Sequence, residues 1–261
     1  MIKKLLLPFF LFLVQDCFGQ PTFQLAPPLL KYNSAFFSGN TFLEIIFNQP
    51  GAEVRYTLNG DEPAENDQLY SNPIPISKRT EVKVKTFGKH FQPSETVSVR
   101  FIQNGKSIRN IQFSKPHESY ANNKTDILYD NVGGIANYGN GNWLGYDSDT
   151  VEINIDLQKK EAIKSVLISL LQDENSWIFL PEQILVYYYS RKRNAFMPGV
   201  MELFMHETPG VKQCNFRELS FIQKNKTNKL KLVLLPLKKI PGWHAGKGNH
   251  AWLFIDEIKV Y

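Results

Sequence analysis

Two sets of residues in this chain have the chemistry to hold a ligand. The first is aromatic and polar. Trp143, Trp177 and Trp243 all lie beside loop signals, and the run PGWHAGKGNH puts Trp243, His244, Lys247, Asn249 and His250 on one glycine-rich loop. An indole face stacks on the apolar face of a pyranose, while imidazole, ammonium and carboxamide groups reach its hydroxyls, so the mixture suits recognition of a sugar. Each tryptophan has a second reading, as core packing or as a plug at the end of a domain. The other set is acidic. Asp130 opens a loop crowded with Gly and Asn, and Glu257 lies in the final hydrophobic run, AWLFIDEIKVY. Carboxylates from both regions, with free loop carbonyls, are the hard oxygen donors that Ca2+ takes. The same carboxylates could instead cap turns or meet Lys or Arg.

Nothing in the chain supplies catalysis. His244 and His250 are six apart, which matches no zinc spacing, and no Cys stands near them. Cys214, between Gln213 and Asn215, has no evident base partner, and no Ser lies in a G-x-S-x-G elbow. No glycine-rich loop leads into a helix, and no β/α alternation could build a barrel.

The elements that must position these residues are strands. From Thr41 the chain reads TFLEIIF, EVRYTL, TEVKVKTF and TVSVRF, short β-branched runs broken by Asn-Gly, Pro or Gly. Glu81 to Lys85 alternates charge with valine, so one face is wet and the other buried. Asn59-Gly60-Asp61 is a hairpin signal. From Thr150 come VEINIDL, AIKSVLISLLQ, SWIFLPEQILVYYYS, KLKLVLLPL and the final run. The IKSVLISLL stretch is long enough for a helix, but Val166, Ile168 and Leu170 alternate with their neighbours at period two, so it is expected to be a strand. The class is all-β.

At the N-terminus Lys3 and Lys4 precede the apolar run Leu5 to Val14 and the Cys17-Phe18-Gly19 stretch, the pattern of a signal peptide over residues 1–19. Cys17 also offers a lipid-anchoring position, although Gln15-Asp16 suits that poorly, and simple cleavage is the expectation. The protein is therefore expected to be exported, to the periplasm, the cell surface or the medium. No stretch is long and apolar enough for a transmembrane span. After Gly19 only Cys214 remains, so stability must come from cores or a bound ion. The formal charge of +5 is carried by scattered lysines, with short runs at 191–193 and 238–239. No basic stripe interleaves with aromatics, so no nucleic-acid partner is expected.

Tyr56, Asn59, Gly60, Pro63 and Tyr70, followed by Pro73-Ile74-Pro75-Ile76 and the valine-lysine strand, resemble the small Ig-like domain near the C-terminus of chitobiase and β-hexosaminidase enzymes. Residues 126–261 resemble a discoidin-type, galactose-binding-like domain, in the version that ends family 20 β-hexosaminidases. The match rests on Gly133-Gly134, on Asn142 to Tyr146, on Gln172-Asp173 with Ser176 to Pro181, on Pro241 to His244, and on Trp252 to Ile258. The resemblance implies a small Ig-like β-sandwich (21–103), a linker and lead-in (104–125), and a discoidin-like jelly-roll β-sandwich (126–261), without the catalytic barrel of the enzymes. It also implies that a structural calcium ties Asp130 to Glu257, with Asp256 offering a backbone carbonyl. The function expected is a non-catalytic module that binds hexosamine- or galactose-containing glycans through Trp143, Trp177, Trp243, His244, Lys247 and Asn249. The alternative is a structural or protein-contact module at the cell surface that binds no sugar.

Overall fold

The computed structural model describes residues 23–261; the expected signal peptide and Cys17 lie outside the described residues. Eight strands build the first domain: β1 (Leu29–Lys31), β2 (Phe36–Phe37), β3 (Thr41–Ile46), β4 (Ala52–Thr57), β5 (Gln68–Leu69), β6 (Ile74–Ile76), β7 (Thr80–Gly88) and β8 (Val97–Gln103). They form two sheets, β1-β3-β6 and β2-β8-β7-β4-β5. Val82 and Val84 of β7 point into a core with Leu43, Ile45, Val54, Ile74 and Phe101. The alternate residues face out, where Glu81 pairs with Arg100 at 2.8 Å and Lys85 with Glu62 at 3.0 Å. This is the expected small sandwich. The Asn59-Gly60 turn forms, but it closes no two-residue hairpin, because β4 and β5 are joined through residues 58–67. Side chains satisfy that loop's backbone instead: Asn59 Oδ1 accepts from Asp61 N at 3.1 Å and Asp67 Oδ2 from Ala64 N at 2.7 Å.

Seven strands build the second domain: β9 (Ile108–Phe113), β10 (Leu144–Tyr146), β11 (Val151–Gln172), β12 (Gln183–Ser190), β13 (Ala195–Leu203), β14 (Gln213–Leu235) and β15 (Leu253–Val260). The stretch 104–125 is therefore more than a linker. Its β9 pairs antiparallel with β11, from Ile153↔Phe113 to Asp156↔Asn110, and buries Ile111 in the second core. The strand covers an edge of β11 that would otherwise expose unpaired backbone.

The runs VEINIDL and AIKSVLISLLQ belong to one strand, β11, which pairs with β14 along nearly its whole length. The ribbon is broken twice. Between the pairs Asp156↔Lys229 and Glu161↔Thr227, and between Ile163↔Asn225 and Ser165↔Ser220, the register shifts. Bulges bend strands, and here they fold the ribbon in half. Ile153 and Ile155 from the first half then share a core with Val166, Ile168 and Leu170 from the second. One layer is β9-β11-β14-β12-β13 and the other is β10-β15-β11-β14, with the long pair common to both. Among the described residues no helix is long and apolar enough to cross a membrane.

The two domains meet through Phe36 of β2. Its ring packs at 5.6 Å, edge-on, against Phe216, in a small cluster with Ile102, Leu167 and Tyr261. Arg79 pairs with Glu218 beside it, and Lys106 N donates to Val260 O at 2.7 Å. Phe36 is 3% exposed. Phe36→Ala should cost ~3–5 kcal/mol, and calorimetry should show the two domains melting separately where the parent melts in one transition.

Candidate functional site

Folding the ribbon brings residues 151, 172, 213 and 235 to one end of the second domain, beside 183 and 253. The loops 173–182, 204–212 and 236–252 close that end. Trp177 succeeds a 3-10 turn (Glu174–Ser176) with its backbone at φ 62°, in the left-handed region. That conformation costs a bulky L-residue ~1–2 kcal/mol, so the surroundings must enforce it. Asp173 and Ile178 exchange backbone hydrogen bonds at 3.0 and 3.1 Å across the loop. The Asp173 carboxylate, 2% exposed, accepts from Ser176 Oγ at 3.0 Å and meets Lys212 at 2.7 Å. Glu174 accepts from Gln172 Nε2 and Gly210 N, both at 2.8 Å. The Trp177 indole lies flat on Gly246, where a Cβ would stand 2.8 Å from its ring, yet it stays 39% exposed.

Trp243 comes from the same 241–250 loop. Its Nε1 donates to His206 O at 2.9 Å, and its ring stands 5.5 Å from His244 and 6.1 Å from Phe179. His244 packs on Phe179 at 5.5 Å, and its Nδ1 accepts from Gly246 N at 2.9 Å. Lys247 and Asn249 are exposed at the loop's tip, where Asn249 Nδ2 donates to Gly246 O at 3.1 Å. Thus Trp177, Trp243, His244, Lys247 and Asn249 come together on one rim. His206 joins them, its pKa held below the ordinary histidine range by burial, and the sequence offered no pattern around it. Phe179 is the buried floor.

Trp143 does not join the rim. It is 2% exposed, its Nε1 donates to Ile135 O at 3.0 Å, and its ring leaves no room for a Cβ on Gly134, which would lie 2.4 Å away. It plugs the Asp130 loop against the sandwich, with Gly134 making room for its ring and Gly133 for that of Phe36.

The acidic set lies elsewhere, under the first domain. Ile255 and Ile258 of β15 both point into the core, and a register shift lets the two residues between them, Asp256 and Glu257, occupy the outer side. Asp256 Oδ2 accepts from Gly134 N at 2.7 Å, while its Oδ1 has no hydrogen-bond partner. Glu257 accepts from Asn131 N and from Lys259 Nζ. Lys259 also donates to Asn131 Oδ1 at 2.9 Å, with its ammonium 5.2 Å from the Phe36 ring. Asp130 accepts from Val132 N at 2.8 Å and pairs with Lys124 at 3.2 Å. Burial raises the Asp256 carboxyl well above the usual range and the Glu257 carboxyl to about 7, although Lys259 pulls the latter down.

Calcium takes six to eight oxygen ligands, and here a cation of the chain itself stands among the carboxylates. The Lys259 ammonium, 4% exposed, already bridges Glu257 and Asn131, and the Asp130 carboxyl, hydrogen-bonded to that of Glu257, is also paired with Lys124. Among the described residues no group of three or more His, Cys, Asp or Glu could hold a metal ion. The cation that ties loop to strand belongs to the chain itself.

Residues 33–98 match the chitobiase/beta-hexosaminidase C-terminal domain. The matched residues fall within the first sandwich. Among curated proteins, none matches the sequence. Solved structures similar to 60% of the chain include a pectin binding carbohydrate binding module, at 14% identity, TM-score 0.35 and 91% of that chain. Also similar are CBM32-3 from a family 31 glycoside hydrolase from Clostridium perfringens (14% identity, TM-score 0.40, 59% of this chain and 90% of that one) and a Ruminococcus gnavus GH29 fucosidase. The fucosidase match, at 14% identity and TM-score 0.35, covers 58% of this chain and 24% of that one. The second domain's architecture rests on its own strand order.

Two outcomes are expected for the acidic set. Thermal unfolding should give the same Tm in excess calcium and in excess chelator, whereas Lys259→Met should destabilise the protein by ~3–5 kcal/mol by stranding a buried carboxylate. The Glu257 carboxyl titrates higher in the folded chain than in the unfolded one, so its stability contribution is full below about pH 4.5 and lost as pH rises through about 7. Urea unfolding should therefore show stability falling across that window, and Glu257→Gln should flatten the slope.

Proposed function

We propose that this chain is a non-catalytic carbohydrate-binding module, exported and accessory to glycan degradation, that holds N-acetylhexosamine- or galactose-containing glycans at the rim of Trp177, Trp243 and His244. The observation that carries this reading is the Trp177 backbone. A left-handed tryptophan, enforced by two buried carboxylates and left 39% exposed, is strain spent on presenting an indole. Trp177 and Trp243 supply flat apolar faces for a pyranose, and His244, Lys247 and Asn249 supply donors for its hydroxyls. The raised acids, Asp256 and Glu257, are 0% exposed beneath the first domain, closed off from any ligand at this rim.

A second reading, contact with another protein, is favoured by exposed apolar side chains along β13 and just past its end: Met201, Leu203 and Met205 are 59%, 64% and 78% exposed. Titration calorimetry separates the two. Trp177→Ala or Trp243→Ala should weaken glycan binding at least ~10-fold, or ~1.4 kcal/mol, while Met201→Ser leaves it unchanged. Trp177→Gly should abolish binding yet shift stability by less than ~1 kcal/mol, because relief of strain offsets lost packing. Glycan binding indifferent to both indoles would remove the sugar reading.

A further inference from the structure

The end of the second domain opposite the rim carries a feature that sugar recognition does not use. Each break in the β11–β14 ribbon extrudes a short segment. Residues 157–160 and 221–224 are unmatched in the register, and each segment begins with a buried anchor, Leu157 at 0% and Phe221 at 8% exposed. Beyond each anchor the side chains face water. The first segment projects Lys159 and Lys160, and the second projects Ile222, Gln223 and Lys224, with Lys226 just beyond. The β12–β13 turn arrives at the same end, since Tyr188 pairs with Leu230 and Tyr189 O accepts from Thr227 Oγ1 at 3.0 Å. It adds Arg191, Lys192 and Arg193, all exposed. The acids close by are already engaged: Asp156 with Arg109 at 3.4 Å and Lys229 at 3.9 Å, and Glu161 with Lys106 at 3.1 Å. Chain segments distant in sequence thus gather cations with no carboxylate of their own. In the second segment, beside Lys224, Ile222 is 97% exposed.

We propose that this basic end docks on an anionic lipid bilayer, with Ile222 entering the interface and the surrounding lysines and arginines meeting phosphate headgroups. The cations alone would suit any polyanion. Ile222 decides between them, because an acidic polysaccharide has nothing to cover a protruding isoleucine, whereas the headgroup boundary accepts an apolar side chain ringed by positive charge. The geometry also suits a binding module. Residues 165–172 of β11 separate the two ends by roughly 23 Å at ~3.3 Å per residue, so a chain seated on a membrane by one end turns its rim outward. This inference does not depend on the sugar reading.

The test is co-sedimentation of the purified protein with vesicles of phosphatidylcholine alone or mixed with phosphatidylglycerol, at low and physiological salt. The protein should sediment with the anionic vesicles only, and less at higher salt. The triple substitution Arg191→Glu, Lys192→Glu, Arg193→Glu, confined to an exposed turn, should weaken binding more than tenfold. Ile222→Ser should weaken it severalfold without changing its salt dependence, and both variants should melt like the parent. Sedimentation that ignores phosphatidylglycerol, survives the triple substitution, or is unaltered by Ile222→Ser overturns the proposal. So does capture by a soluble polyuronate with no vesicle binding, which would assign this end to an acidic polysaccharide.

Discussion

The second domain depends on one constraint: the hydrogen-bonded ribbon of β11 and β14 must fold across itself to bury both of its apolar faces. Ile153 and Ile155 on one half and Val166, Ile168 and Leu170 on the other belong to the same core, so neither half is covered until the ribbon bends. The bulges at 157–160 and 221–224 absorb the bend, because extra unpaired residues let a strand turn sharply without breaking the ladder on either side. Two ends with different chemistry result. The open end receives the loops that carry Trp177 and Trp243, and the folded end displays whatever the bulges extrude.

A second interaction fastens the sandwich to its partner domain. The outer side of β15 presents Asp256, Glu257 and Lys259, and the Asp130 loop and Phe36 close over them. Burying a carboxylate is costly unless a cation and hydrogen bonds accompany it. Lys259 is that cation, two residues along the same strand face. Because Phe36 covers its ammonium and also packs on Phe216, the latch and the domain interface are one structure. The tandem therefore presents a single body with a fixed rim.

Much of this was legible in the residues. Period-two alternation marked the strands, including IKSVLISLL against its helical length, whereas Gly133-Gly134 stood out only as a family motif and its close approach to the Trp143 and Phe36 rings comes from the packing. The glycine-rich PGWH run marked the rim. Other features depend on the register between distant strands. The gathering of Lys159, Arg191 and Lys224 at one end appears only once the two bulges are placed, so the lysines read as scattered. Short β9 mixes Arg109 and Asn110 with its isoleucines and so reads as linker. Trp143 and Trp177 both stand beside loop signals, and only packing separates the buried plug from the exposed platform. Glu257 and Lys259 are two apart, which on a strand means one shared face, but a lysine at that spacing is an ordinary strand neighbour until burial makes it the carboxylate's counter-ion.

The sugar reading stands or falls on two of the four tryptophans. The most direct measurement tracks the four indole N–H signals in a two-dimensional NMR spectrum while a galactose- or N-acetylhexosamine-terminated oligosaccharide is added. Saturable shifts are expected for Trp177 and Trp243, with Trp143 and Trp252 unmoved. Shifts confined to Trp143 and Trp252, or none with any such glycan, would contradict it.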